Sequence, residues 1–131
     1  MATYAPDGPR HSPVWFLWED AAIWIIGNVV DDTFPDRVRR DERCSVGVVD
    51  FNPRTGLVHH VSFRGRGAVV PIEAQRAERL LARYLGPAVE RWDARFGIAI
   101  SDENAVFVRI EPDSVLVRDQ SYVVASSSST V

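Results

Sequence analysis

Lysine is absent from the 131 residues: all 15 cationic side chains are arginine. Chemistry that depends on a lysine Schiff base is therefore excluded. Cysteine occurs once, at Cys44, which excludes an intramolecular disulfide and any multi-cysteine metal site. Its default role is that of a small core residue. Histidine is nearly as scarce. His59 and His60 are neighbours in a strand-like segment and point to opposite faces, while His11 is remote, so no metal site is expected. Excess positive charge is also lacking: the formal net charge is -3, which gives no footprint for nucleic acid. No run approaches the roughly 20 apolar residues of a membrane span. The opening MATYAPDGPR lacks the basic region and apolar core of a secretion signal, so a cytoplasmic protein is expected. A glycine-rich phosphate loop and a nucleophile elbow around serine are both missing.

What is present is an ordinary globular composition, 46% apolar and 25% charged, in a length that suits one domain. The domain is expected to span residues 1–125, with a flexible tail at 126–131, where the sequence is serine-rich. Residues 1–12 read as a short strand entering an Asp-Gly turn. Val14–Trp18 and Ala22–Ile26 follow as two apolar runs parted by Glu19-Asp20, the pattern of a hairpin. Both runs are continuously apolar, which suits strands covered on both faces. The charged segment 31–43 carries a helix start, with Asp32 or Thr33 to cap it and Pro35 in the first turn. A strand over 44–49, the turn Asn52–Gly56 and a long strand from Leu57 to about Val70 come next. Gly65 and Gly67 inside that strand mark a bulge or sharp bend. Helical spacing returns from Glu73 to Leu85 and ends at Gly86-Pro87. A shorter helical piece is predicted over 88–95. Two strands, 105–110 and 115–118, close the domain across Glu111-Pro112-Asp113. Hairpins with one helical insertion argue for a mainly antiparallel β-barrel with attached helices, and against a parallel doubly wound sheet.

Candidate chemistry centres on the cluster Arg37, Arg39, Arg40 and Arg43. Arginine forks suit a phosphate, although the same charges paired with Asp36, Asp41 and Glu42 make an ordinary solvated helix face. The aromatic run Trp15, Phe16 and Trp18, with Trp24, fits a core, a dimer seam or a wall for a flat ligand.

The run PVWFLWEDAAIWIIGN, then DRVRRDERCSVGVVDF, then HHVSFRGRGAVV before an amphipathic helix, resembles the pyridoxamine 5'-phosphate oxidase-related, FMN-binding split-barrel proteins. The resemblance covers about residues 3–122. It implies a split barrel of six or so strands with two to three helices, working as a homodimer with flavin sites shared between the two chains. By that resemblance Gly27, Asn28 and Val29 line the flavin, and Thr33, Arg37 and Arg40 take its phosphate. His60 hydrogen-bonds a flavin heteroatom, and Trp15 and Phe16 wall the site. The implied activity is two-electron transfer through FMN to a small-molecule substrate. Two alternatives stand beside it: a reductase using the deazaflavin coenzyme, and a non-catalytic flavin-fold dimer that binds a ligand.

The sequence departs from the family pattern where Thr33 and Phe34 replace the usual phosphate-binding lysine. Arg37 is one helical turn beyond Phe34 and is expected to face the same side. A second departure is the short lead before Thr3-Tyr4-Ala5, which leaves a barrel edge to be covered in another way. No residue demands the role of general acid or base.

Overall fold

A computed structural model of the chain describes residues 1–125; the tail expected to be flexible, 126–131, lies outside the described residues. Seven strands form one antiparallel sheet: β1 (Ala2–Ala5), β2 (Gly8–His11), β3 (Leu17–Glu19), β4 (Ala22–Asn28), β5 (Arg43–Asn52), β6 (Leu57–Pro71) and β7 (Ala105–Asp119). Their spatial order is β2-β1-β5-β6-β7-β4-β3. Three α-helices join them: α1 (Phe34–Arg40), α2 (Ala74–Leu85) and α3 (Ala94–Ser101). The edge strands β2 and β3 are only four and three residues long, which limits the unpaired backbone offered to other chains.

The sheet curls around one core and lays helices over the other face. Ile23, Ile25, Cys44, Val46, Val108 and Ile110 point inward, and Phe34 and Val38 of α1 plug the opening between β1 and β4. On the outer face Ala22, Trp24 and Phe107 pack beneath Ala77, Leu80 and Leu81 of α2. β4 is thus covered on both faces, as its unbroken apolar run requires.

β6 and β7 each run for fifteen residues and pair along nearly all of that length. Their register shifts between Arg64 and Gly65, leaving Asp113 as the extra residue on β7. Gly65 pairs with Pro112, which has no N–H to give and is tolerated at such a bulge. A Cβ on Gly65 would stand 2.9 Å from the Cα of Pro112. The two predicted strands at the C-terminal end are therefore one strand, because the irregularity absorbs the proline.

Three other expectations are corrected. The strand predicted from Val14 begins only at Leu17. Before it the chain leaves the sheet to meet α2: the Phe16 N–H donates to the Tyr84 hydroxyl at 2.9 Å, and Trp15 stacks on the Tyr84 ring at 4.6 Å. The helical piece predicted over 88–95 is a 3-10 turn at Val89–Arg91 followed by α3. The Asp93 carboxylate caps α3 by accepting from the Arg95 N–H at 3.0 Å. Neither expected cap of α1 acts as one, since Thr33 occupies the N-cap position without a capping bond and Asp32 turns back to the Asn28 N–H.

The β3–β4 hairpin turns through Asp20 and Ala21, both at positive φ, the backbone a two-residue hairpin needs. Its stem is clamped to α2. Glu19 accepts from Arg79 at 2.6 and 2.8 Å and from Arg76 at 2.9 Å. Arg76 in turn lies 3.8 Å over the Trp24 ring and also pairs with Asp20. The hydrogen bonds from Arg79 and then Arg76 hold the Glu19 carboxyl down at about 2.

Two outcomes are expected. Gly65→Ala should cost about 2–3 kcal/mol, because the added methyl has only backbone to displace; urea denaturation measures it. The folded pKa of Glu19 is depressed, so its stabilisation is complete above the unfolded value of 4.5 and is lost as pH falls through about 2. Glu19→Gln should thus be less stable than the parent at pH 7, with the gap closing as pH is lowered across that window.

Candidate functional site

The segment between β4 and α1 is held by its own polar groups. The Asn28 side-chain oxygen accepts from the N–H groups of Val30 at 2.9 Å and Asp31 at 3.1 Å. The Asp32 carboxylate accepts from the Asn28 N–H at 2.8 Å, and the Val29 N–H donates to the Asn104 carbonyl at 3.0 Å. Phe34 then drops into the barrel. Its ring lies where a Cβ on Gly27 would be 3.0 Å away, and Pro35 is at 3.1 Å. Gly27 is covered by this ring, so it does not line an open site.

Arg37 behaves differently from the expectation that it faces the side of Phe34. Its guanidinium crosses to the β1–β2 hairpin, where Nε donates to Thr3 Oγ1 at 2.8 Å. Nη1 donates to Thr33 Oγ1 at 2.7 Å and Nη2 to Ser12 Oγ at 3.4 Å. Thr3 is 1% exposed and Arg37 is half-buried. Among the described residues no carboxylate pairs with Arg37, whereas Arg40 pairs with Asp36 at 3.2 Å. A guanidinium has five donors, and three are used. The remaining N–H groups, and the O–H groups of Thr33 and Ser12, stay free to donate. This fixed, uncompensated cation with flanking hydroxyls is suited to an anion.

Next to this cluster is a cleft of about 660 Å³. Ser12 and Thr33 belong to the cluster; Pro13 and Phe34, the residues after them, line the cleft. Trp15, Leu80, Leu81 and Phe96 make its walls. Phe16 is not among them: it packs against the barrel core, with Arg83 4.4 Å above its ring. α3 is not legible in the sequence beyond Arg95, because RFGIAIS reads as an apolar run; the signal present is Asp93, an N-cap residue two positions before Arg95.

His60 lies elsewhere. It is paired in register with Val49 and Arg118 on the far half of β6. Ala2 of β1 is registered with Ser45, and Ser45 with Arg64, so His60 is four residues, roughly 13 Å, along β6 from the position nearest the Arg37 cluster, and it is eleven residues from Pro71, which is registered with Val106 beside Gly27. One chain brings together Asn28, Thr33, Arg37 and Trp15; it does not bring His60 to them. The far half of the β5–β6–β7 ribbon exposes apolar side chains on both faces, among His59, His60, Arg118 and Asp119. Val115 and Val117 are 53% and 70% exposed on one, and Val49, Phe51 and Leu116 are exposed on the other. Cys44 is buried as expected, and desolvation pushes its thiol up to about 11, so it is no nucleophile at neutral pH. No helix among the described residues is long and apolar enough to cross a membrane.

Among known proteins, no family model and no curated sequence matches the chain. Solved structures do. A conserved hypothetical protein of Mycobacterium tuberculosis, Rv2991, aligns at TM-score 0.71 with 25% identity, over 97% of this chain and 83% of its own. A putative pyridoxamine 5'-phosphate oxidase from Listeria innocua aligns at 0.63 with 15% identity, over 88% and 83%. An F420 reductase aligns at 0.63 with 22% identity, over 88% and 85%. The chain has the split-barrel fold of the pyridoxamine 5'-phosphate oxidase-like proteins. The two identities below 25% carry the fold alone.

Phe34→Ala should cost about 3–5 kcal/mol, since the ring packs over Gly27 in the barrel core and its loss leaves a cavity there; thermal or urea unfolding measures it.

Proposed function

We propose that this chain is a flavin-type oxidoreductase that holds its cofactor's phosphate on Arg37. The observation that carries the reading is the half-buried guanidinium fixed by Thr3, Ser12 and Thr33 without a carboxylate partner. A phosphate fits this cluster: it supplies the missing negative charge and accepts from the spare N–H and O–H donors. Arg40 is a weaker candidate because Asp36 already neutralises it. The Asn28–Val29 segment is tied by its own hydrogen bonds and presents a pre-formed edge. When bound, a flavin supplies two-electron transfer. The residues here bind it, orient it and exclude water.

The reading includes a homodimer. A ribbon that exposes Val49, Phe51, Val115, Leu116 and Val117 is a poor surface for a lone chain, and covering it with a second copy would also supply His60 to a site that one chain leaves incomplete. The cofactor is FMN in the first instance. The deazaflavin coenzyme is the second reading, favoured by the fold shared with an F420 reductase. Phe34 in place of a cation is the feature that favours a dimer binding a ligand without turnover.

The test is an FMN titration followed by absorbance, with sedimentation to give the mass. Saturable binding near one per chain on a dimer is expected, and Arg37→Ala should weaken it by about 1.5–3 kcal/mol. Unchanged affinity in Arg37→Ala would remove the cradle from the site. No FMN binding, with binding of the deazaflavin coenzyme, selects the second reading; binding of neither selects the non-catalytic dimer.

A further inference from the structure

Two of the three hydroxyls around Arg37 come from the β1–β2 hairpin, and only Thr33 belongs to its own helix end. The hairpin delivers them by register. Ala2 pairs with His11 and Thr3 with Arg10. Beyond His11 the Ser12 N–H donates to the Met1 carbonyl at 2.8 Å, so the pairing runs on past the strand ends. Side chains directly across an antiparallel pair share a face, and so do residues two apart on one strand. Ser12 lies across from Met1, and Met1 is two residues from Thr3. Both hydroxyls therefore stand on the hairpin face that meets α1.

The three bonds are not equivalent. Thr3 is 1% exposed and is the one polar side chain among the described residues that the fold buries. Its Oγ1 accepts from Nε at 2.8 Å. Ser12 Oγ is further off at 3.4 Å, and Thr33 is exposed, so water competes for its bond. Nε is the donor nearest the aliphatic stem. The guanidinium is planar, so fixing Nε fixes the plane of the whole fork. Thr3 thus sets where the spare N–H groups of Nη1 and Nη2 point. α1 offers that fork other partners. Asp36 is adjacent and Asp41 is one turn on, each now held by another arginine, at 3.2 Å to Arg40 and 2.6 Å to Arg43. A guanidinium released from Thr3 would turn to these acids or to water.

We propose that Thr3 is a positioning residue for anion binding. Through its bond to Nε, the β1–β2 hairpin holds Arg37 away from the acids of its own helix and aims the free donors at the ligand's phosphate. This rests on the reading of Arg37 as the phosphate ligand. A bond needed only to tie hairpin to helix would be stronger with a carboxylate at position 3, which would also cancel the charge, as Asp36 does for Arg40. A hydroxyl holds the fork and keeps it cationic.

The probe is FMN, or the deazaflavin coenzyme if the parent binds that alone, titrated by absorbance into the full chain. Urea denaturation is run on each variant, and the Arg37 Nε–H signal, identified through Arg37→Gln, is followed by NMR. Thr3→Val keeps the shape and removes the acceptor. It should abolish the slowly exchanging Nε–H signal and weaken binding about three- to tenfold, the cost of ordering on binding an arginine no longer held beforehand. Thr3→Ser should restore both the signal and the affinity. Thr3→Asp should keep the signal yet bind more weakly than Thr3→Val, because it holds the fork and cancels it. Should Thr3→Val not fold, the contrast between Thr3→Ser and Thr3→Asp carries the test. Unchanged affinity in Thr3→Val, equal losses in Thr3→Val and Thr3→Ser, or parent-like affinity in Thr3→Asp would overturn the role and leave Thr3 a packing residue, with the Arg37 reading intact. Unchanged affinity in Arg37→Ala, or a parent that binds neither cofactor, would overturn that reading and this one together.

Discussion

Two fifteen-residue strands lying side by side, with one bend between them, set the rest of the molecule. β6 and β7 are too long to belong to a single small barrel. The register shift opposite Gly65 and Pro112 lets one pair of strands serve two environments. On one side of the bend they close around Ile23, Ile25 and Ile110 and carry the helices. On the other they run out with β5 as a ribbon whose two faces both expose valine, leucine or phenylalanine. The glycine is required by contact with backbone, and the proline is permitted only because the ladder is already broken there. A fold with a finished core and an unfinished ribbon follows from that one junction.

α1 shows how a short segment can serve packing and charge at once. Phe34 and Val38 fill the barrel mouth, so this helix is held by apolar burial and has no need of a cap. Freed from capping, the Thr33 hydroxyl accepts from Arg37. The arginine is then drawn across to Thr3 and Ser12, which ties the β1–β2 hairpin to the helix. Hydroxyl partners hold a guanidinium in place without cancelling its charge, whereas Asp36 both holds and cancels Arg40. Of two arginines one turn apart, the second has an acidic partner and the first has none among the described residues.

Much of the fold was legible because periodicity and punctuation agree: the hairpin around Glu19-Asp20, the helix ended by Gly86-Pro87, and the curl at Gly65 all appear where pattern and turn residues coincide. The misses have one kind of cause. Trp15 and Phe16 read as strand because they are aromatic and apolar, but α2 offers them Tyr84 and Arg83 as better partners than a neighbouring strand. Pro112 reads as a break because sequence alone cannot show that a glycine opposite will host it. α3 has too few apolar contacts to impose a clean period. Of the residues the resemblance pointed to, Asn28, Thr33, Arg37 and Trp15 fall in one region of the chain, while the cover that Phe34 places over Gly27 could not be read from the sequence. His60 was legible as a candidate, yet within one chain it lies further along β6 than the strand position beside the Arg37 cluster.

The all-arginine cation set gives these arrangements a common physical basis. An ammonium is a compact point charge, whereas a guanidinium is a flat fork that stacks on rings and donates in several directions at once. Arg76 uses both properties, lying on Trp24 while bonding Glu19. Arg43 spans Asp41 and the Tyr4 ring. Arg83 roofs Phe16. Arg37 is the case where the fork matters most, because three directions can be spent on hydroxyls with donors still to spare. A lysine there has only three donors, so pinning it in the same way would leave none for an anion. With Phe34 occupying the barrel mouth, a cation for this face of the protein must reach around the helix and be held at a distance, and only a guanidinium can be held that firmly and remain a donor.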